Sequence, residues 1–389
     1  MRVAWVVPRY GAEIGGGAEE ECRRVAELLA TDVECTVLTT CASDYRTWAD
    51  HYPPGESVVG GVRVVRFGVR APRDPASFDA LSPSAYAAPA DVVLGRRWMT
   101  AQGPDAPALV EHLAREGERY DVVCFLPYLY ATTAHGIALV SERSLLVPLA
   151  HDEPPLALAV FDEVFAAARV LVFNTPEERA IVEARFGVDD RPRFEIPLAI
   201  DPPPGTDPQR FRDRFAIDGP YLLSVGRIEP SKGSDQLLER FRELRRHRRD
   251  LTLVLVGRPH MAIADDLDGV IVTGFVDEQC KHDAYAGAAV VLLPSPYESL
   301  SIVGLEAWSH GRPTLANAAS AVLVGQTRRS NGGLWYADAY EFHATLALLV
   351  DNPPLAETLG LQGRRYVESS GGWERVRRGW LAALAAVRG

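Results

Sequence analysis

Short apolar runs recur along this chain, and each ends in a turn signal. Residues 3–7, 120–127, 145–150, 221–225, 251–256, 270–276 and 288–293 are predominantly apolar, without the alternation of a half-exposed strand, and 33–40 reads as a further strand. Such strands are covered on both faces, as in parallel sheets flanked by helices. Stretches with helical spacing fall between them. One, 18–29, has an acidic first turn. Another follows the apolar run at 168–173 and opens on Asn174-Thr175-Pro176, a capping residue and a first-turn proline. A last amphipathic stretch covers 373–387. Strands alternating with helices predict the α/β class. The 389 residues are enough for two such domains. Five prolines (Pro197, Pro202, Pro203, Pro204 and Pro208) mark 195–208 as the connection between them. The expected division is therefore 1–196 and 197–372.

The pattern is weaker between 41 and 107. Gly60-Gly61 followed by Val62-Arg63-Val64-Val65-Arg66-Phe67 reads as a hairpin or short strand with charge facing outward. From Pro72 to Pro107, prolines, alanines and Arg96-Arg97-Trp98 predict irregular helices lining a cleft.

One junction concentrates the candidate chemistry. The run 288–293 stops at Pro294 and Pro296, and helical spacing resumes near 299–301 and lasts to about His310, closed by Gly311 and Pro313. A strand thus empties into a helix N-terminus, where backbone N–H groups can hold a phosphate. Glu298 lies before the helix and Glu306 inside it. Eight helical steps separate such positions by about 12 Å, too far for one acid/base pair but suited to two ends of a long ligand. Carboxylates accept paired hydrogen bonds from vicinal hydroxyls. A capping acid and an ordinary helix glutamate are the bland alternative.

Other strand ends add candidates. Gly15-Gly16-Gly17 follows the first strand. A tight turn is one reading of it, and a dinucleotide site is another. The latter lacks the G-x-G-x-x-G spacing and an acid closing the second strand, which ends Leu38-Thr39-Thr40. His151 terminates the run 145–150, with Asp152 and Glu153 beside it, at an edge where open α/β sheets bind ligands. A structural histidine is the alternative. Arg227 and Lys232 follow the strand 221–225 in Gly226-Arg227-Ile228-Glu229-Pro230-Ser231-Lys232-Gly233. A planar fork and a point charge beside a helix N-terminus suit a diphosphate, though both would also serve as surface charges.

Taken together, these segments resemble the retaining glycosyltransferases of family 4, whose two Rossmann-like domains face each other across a cleft (the GT-B architecture). Glu298-x7-Glu306 is similar to the family's E-x7-E signature. Gly226-Arg227 through Lys232-Gly233 is similar to its G-R-x-x-x-x-K-G motif. Ser299-Leu300-Ser301 stands where the family more often has Gly-Phe-Gly. The resemblance is strong over most of the second half and weaker over the first. It implies transfer of a sugar from a nucleotide-sugar donor, a UDP- or GDP-sugar, to a hydroxyl acceptor, with retention of configuration. Arg227 and Lys232 would hold the diphosphate, with Ser299, Leu300 and Ser301 at the helix N-terminus. Glu306 would take the ribose and Glu298 the transferred sugar. Phe275 and Val276 would contact the base. Gly16 and Gly17 would approach the donor phosphates or the acceptor, and His151 would stand near the transferred sugar. The last helix, 373–389, would return to the first domain. No metal or other cofactor is expected. The aspartate pairs Asp189-Asp190 and Asp265-Asp266 sit in apparent loops, outside any donor-site context. An epimerase or phosphorylase of the same fold, or a non-catalytic nucleotide-sugar binder, are the competing readings.

Composition narrows the classes further. With 41 basic and 52 acidic residues the net charge is −11, which argues against bulk nucleic-acid binding. The basic run Arg242, Arg245, Arg246, His247, Arg248 and Arg249 reads as a solvated helix end, with a membrane surface or anionic partner as its alternative use. The five cysteines form no C-x-x-C or Cys/His cluster, which fits reduced thiols in a cytoplasm. No apolar run reaches the length of a membrane span, and 1–8 reads as a first strand rather than a leader.

Overall fold

The computed structural model describes residues 1–188, 190–264 and 267–389. The chain divides into two compact units, Met1–Leu198 with Trp373–Gly389, and Ala199–Gly372. Each is an α/β layer structure around its own sheet.

In the first unit the strands are β1 (Arg2–Val6), β2 (Glu34–Thr40), β3 (Gly55–Val59), β4 (Val62–Phe67), β5 (Val122–Phe125), β6 (Ser144–Leu146), β7 (Val170–Phe173) and β8 (Arg193–Glu195). Their order is β3-β4-β2-β1-β5-β6-β7-β8. All pairs are parallel except the β3–β4 hairpin at the edge, which turns at Gly60-Gly61. The chain runs outward from β1 and then returns to its other side at β5. β1 and β5 are buried along almost their whole length, as continuous apolar runs require. Trp5 on β1 meets Trp380 of the helix Gly372–Arg388, with ring centroids 5.1 Å apart.

Two expectations are corrected here. The strand expected at 145–150 runs only to Leu146; Pro148 has no N–H for the ladder, and Leu149 then turns to φ 53. The tract 72–107 is not irregular. It forms the regular helices Pro75–Ala87 and Val92–Gln102, capped by Asp74 and Asp91. Trp98 is buried between them, and its indole donates to Ser82 Oγ at 3.0 Å.

The second unit holds β9 (Tyr221–Val225), β10 (Thr252–Val256), β11 (Val270–Gly274), β12 (Val290–Leu293), β13 (Thr314–Asn317) and β14 (Gly333–Tyr336). The order is β11-β10-β9-β12-β13-β14, parallel throughout. Successive strand residues point to opposite faces. Leu222, Leu253, Leu255 and Leu292 therefore enter one core with the helix residues Leu237 and Phe241. Leu223, Val254, Val256 and Leu293 enter the other with Tyr285 and Ala307. Each buried Leu or Val side chain contributes about 1.5–3 kcal/mol. Among the described residues, no helix is long and apolar enough to cross a membrane.

Candidate active site

Strand order singles out one place in the second unit as the candidate site. The chain leaves β9 for β10 and β11, then crosses back to put β12 on the other side of β9. Loops diverge at such a reversal, and ligands of open α/β sheets bind outside the strand ends there. The segments that meet at this point are the two carrying the motifs.

After β9, Gly226-Arg227 leads into a single 3-10 turn, Pro230–Lys232. Gly233 ends the turn at φ 72, and a Cβ on it would lie 2.3 Å from the carbonyl oxygen of Pro294. The turn therefore sits directly against the loop after β12. Lys232 Nζ donates to Glu298 Oε1 at 2.9 Å, with the two side chains 33% and 20% exposed. Arg227 lies 3.2 Å from Glu229 Oε1, which also accepts from Ser231 Oγ at 2.6 Å.

The helix that follows spans Ile302–Ser309, starting just after the expected window. Ser301 caps it, its Oγ accepting from Gly304 N at 3.1 Å, and its own N–H donates to Gln326 Oε1 at 2.9 Å. Glu298 is thus neither the cap nor helical, so the separation of eight helical steps from Glu306 does not apply. Ser299 and Leu300 belong to the same non-helical approach, with Leu300 buried.

Glu306 is buried and held on both oxygens. Oε1 accepts from Lys281 Nζ at 2.9 Å and Oε2 from Tyr285 OH at 2.8 Å. Both donors project from the helix Glu278–Gly287, one turn apart. Burial alone would lower the Lys281 ammonium, but Glu306 and Glu278 hold it above the usual lysine range. Burial first and Glu306 second push the Tyr285 phenol well up. Behind them, His282 Nδ1 and His310 Nε2 are 2.8 Å apart, and burial, then His282, brings His310 down to about 4. Sequence reasoning missed Lys281 and Tyr285. Their signal was the four-residue spacing on a helix leading into β12.

Phe275 and Val276 follow β11 but face opposite ways. Val276 packs into the core, whereas Phe275 is 70% exposed beneath the Arg258 guanidinium, 5.4 Å from its ring centroid.

In the first unit the corresponding reversal lies between β1 and β5. Arg9, buried in the loop after β1, donates to Glu19 through Nε at 2.8 Å and Nη2 at 2.5 Å, and to Ser43 O through Nη1 at 2.9 Å. Gly16 precedes the helix Gly17–Leu29, and a Cβ on it would fall 2.2 Å from Glu19 Oε2. Gly16 is thus required by a buried ion pair that was not anticipated, whereas a Cβ on Gly17 would meet open space. His151 Nδ1 lies 3.1 Å from Glu153 Oε1, which also accepts from Tyr128 OH at 3.0 Å. Asp152 is exposed beside them. Of the aspartate pairs, Asp189, Asp265 and Asp266 lie outside the described residues.

The sheet reversal thus gathers cations, carboxylates and a capped helix N-terminus. Residues 219–352 match the family described as glycosyl transferases group 1. The chain is 30% identical over 281 residues to a D-inositol 3-phosphate glycosyltransferase from Frankia alni, covering 66% of this chain and 67% of that one. The chain belongs to the group 1 glycosyl transferases. Its fold is similar to that of a sucrose-phosphate synthase from Thermosynechococcus elongatus, with a TM-score of 0.72 at 20% identity over 98% of each chain. It is also similar to HepE from Anabaena in complex with UDP and glucose, with a TM-score of 0.73 at 15% identity over 99% of this chain and 100% of that one. Two Rossmann-like units of this kind constitute the GT-B architecture.

Proposed function

We propose that this glycosyltransferase takes its sugar from a nucleotide-sugar donor, a UDP- or GDP-sugar, and moves it to a hydroxyl acceptor with retention of configuration and without a metal ion. The contact between Lys232 and Glu298 carries the reading. It joins a cation suited to the diphosphate to a carboxylate suited to the sugar, at the reversal of a parallel sheet. A donor would replace each with the partner it lacks in the other.

The roles follow from chemistry and position. Arg227 and Lys232 take the diphosphate and stabilise the charge that grows on the leaving group. The N-terminus at Ser299, Leu300 and Ser301 adds backbone dipoles. Glu306 takes the ribose, since its oxygens keep lone pairs beyond those used by Lys281 and Tyr285. Glu298 takes hydroxyls of the transferred sugar. Exposed Phe275 offers a face to the base, with the Val276 backbone beside it. Gly16, Gly17 and His151 serve the acceptor side, with Glu153 Oε1 3.1 Å from His151 Nδ1. HepE is named as a UDP and glucose complex, and the sequence relative for an inositol phosphate acceptor. UDP-sugars and polyol phosphates are accordingly the first substrates to try. A cytoplasmic setting belongs to the same proposal, supported by five buried free cysteines.

A thermal-shift panel of UDP, GDP and their sugars tests the donor, because a ligand at 100 times its Kd adds about 2.7 kcal/mol. Failure of every nucleotide to raise the Tm would refute it. The anomeric proton coupling of the product tests retention. Loss of turnover in excess chelator, restored by magnesium or manganese, would overturn the metal-free mechanism.

A further inference from the structure

Behind His151 lie two carboxyl groups that the proposed chemistry does not use. Glu178 is 0% exposed and Glu21 is 4% exposed. Glu178 stands in the first turn of the helix Pro176–Phe186, where an acid ordinarily faces water near the helix dipole. Here the side chain turns inward. Its Oε1 accepts the N–H of Ala150 at 2.9 Å, and its Oε2 accepts the N–H of Asn174 at 2.8 Å. The amide of Leu149 faces the same carboxyl. Asn174 in turn donates from Nδ2 to Glu21 Oε2 at 2.8 Å. Glu21 belongs to the helix Gly17–Leu29, which starts at the glycine turn.

Three segments are thereby tied together: the chain leaving β6 toward His151, the end of β7, and the helix behind Gly16 and Gly17. The first segment needs holding. Leu149 is at φ 53, which a leucine seldom adopts, and the peptide N–H that follows it is the one Glu178 takes. Thr175 fixes Glu178 in turn, its Oγ1 accepting from Glu178 N at 3.2 Å.

We propose that Glu178, braced through Asn174 and Glu21, is a positioning residue that locks residues 149–151 so that His151 is presented in one geometry at the carboxyl edge of the first sheet. The inference rests on the role proposed for His151. A displacement of about 1 Å at a reacting group is enough to lower a rate about 100-fold.

The test is a double-mutant cycle on turnover, using Glu178→Gln, His151→Ala and the two combined in the full chain. Glu178→Gln keeps the volume but turns an amide NH2 toward a backbone N–H. It should lower kcat about 10- to 100-fold, with the Kd for UDP unchanged. The combined variant should be no slower than His151→Ala alone. Hydrogen exchange at Ala150 should quicken in Glu178→Gln. Independent, multiplying losses would overturn the positioning role while leaving that of His151 intact. Wild-type turnover of His151→Ala would instead remove His151 from the site, and the inference with it. If Glu178→Gln does not fold, Asn174→Ala enters the same cycle. It breaks only the link to Glu21 and should give a smaller loss that again vanishes without His151; a loss that persists there overturns the proposal.

Discussion

Glu298 and Glu306 should respond in opposite directions when a bare nucleoside diphosphate is offered. Glu306 is buried against Lys281 and Tyr285 and is assigned the ribose, which every donor and its spent diphosphate share. Glu306→Gln removes a charged acceptor worth about 1.5–3 kcal/mol. UDP and UDP-glucose should therefore weaken alike, roughly 10- to 140-fold. Glu298 differs because it faces the Lys232 ammonium at 2.9 Å. At an effective dielectric near 20 that attraction is about 6 kcal/mol before screening. With the side chains 33% and 20% exposed, solvent brings the net value to about 1 kcal/mol or less. A diphosphate has to draw Lys232 away from Glu298 and then sit near its charge. Glu298→Gln relieves both, so UDP should bind about 2- to 5-fold tighter, while transfer from the nucleotide sugar falls. Calorimetry on the two variants with UDP and UDP-glucose decides the matter. Glu306→Gln also leaves two donors facing one amide oxygen, so its melting temperature is recorded beside the binding data. Equal losses of UDP affinity in the two variants would refute the division of roles.

Other outcomes follow from the same geometry. Lys232→Ala should lower transfer about 100-fold or more and leave the fold intact, as its side chain is partly exposed; unchanged turnover would remove it from the diphosphate site. Gly233→Ala should destabilise the second unit by about 1–3 kcal/mol, because it adds a Cβ at φ 72 against Pro294 O; a Tm equal to wild type would contradict that contact. Burial pushes Glu178 up to about 8 and Glu21 up to about 7, so above the ordinary carboxyl range the folded chain holds more protons than the unfolded one. Stability should then be full at low pH and fall as pH rises toward about 8, by at most about 1.4 kcal/mol per pH unit for each group, and a Tm difference between wild type and Glu178→Gln that does not vary over this window would count against it.

What could be read from the sequence was whatever depends on neighbours in the chain. In the second sheet β9, β10 and β12 were legible because they are mostly buried and the apolar run is continuous, as in Val290–Leu293. The hairpin at Gly60-Gly61 and the Thr175 cap were legible for the same local reason. The tract at 72–107 was misread because its alanines and prolines hide two aspartate caps, and what makes it regular is Trp98, whose burial shows only after folding. Residue 149 was expected to continue a strand, and nothing near it in the chain signals a left-handed leucine. The acceptor that holds the next amide is 28 residues away.

Distance along the chain also explains what the motifs conceal. A motif reports which residue types are kept at a spacing, so Lys232 and Glu298 could each be assigned a ligand group. It does not report that, 66 residues apart, they pair with one another. That pairing changes the energetics of the proposed site, because neither charge stands alone. Its cation and its carboxylate partly neutralise each other, so under the proposed roles donor binding would be an exchange of partners. An exchange favours a ligand that brings an anion and hydroxyls together over one that brings an anion alone, since only the former gives both Lys232 and Glu298 a new partner. Under the proposed roles, discrimination between a nucleotide sugar and the spent diphosphate would then arise from the contact between Lys232 and Glu298.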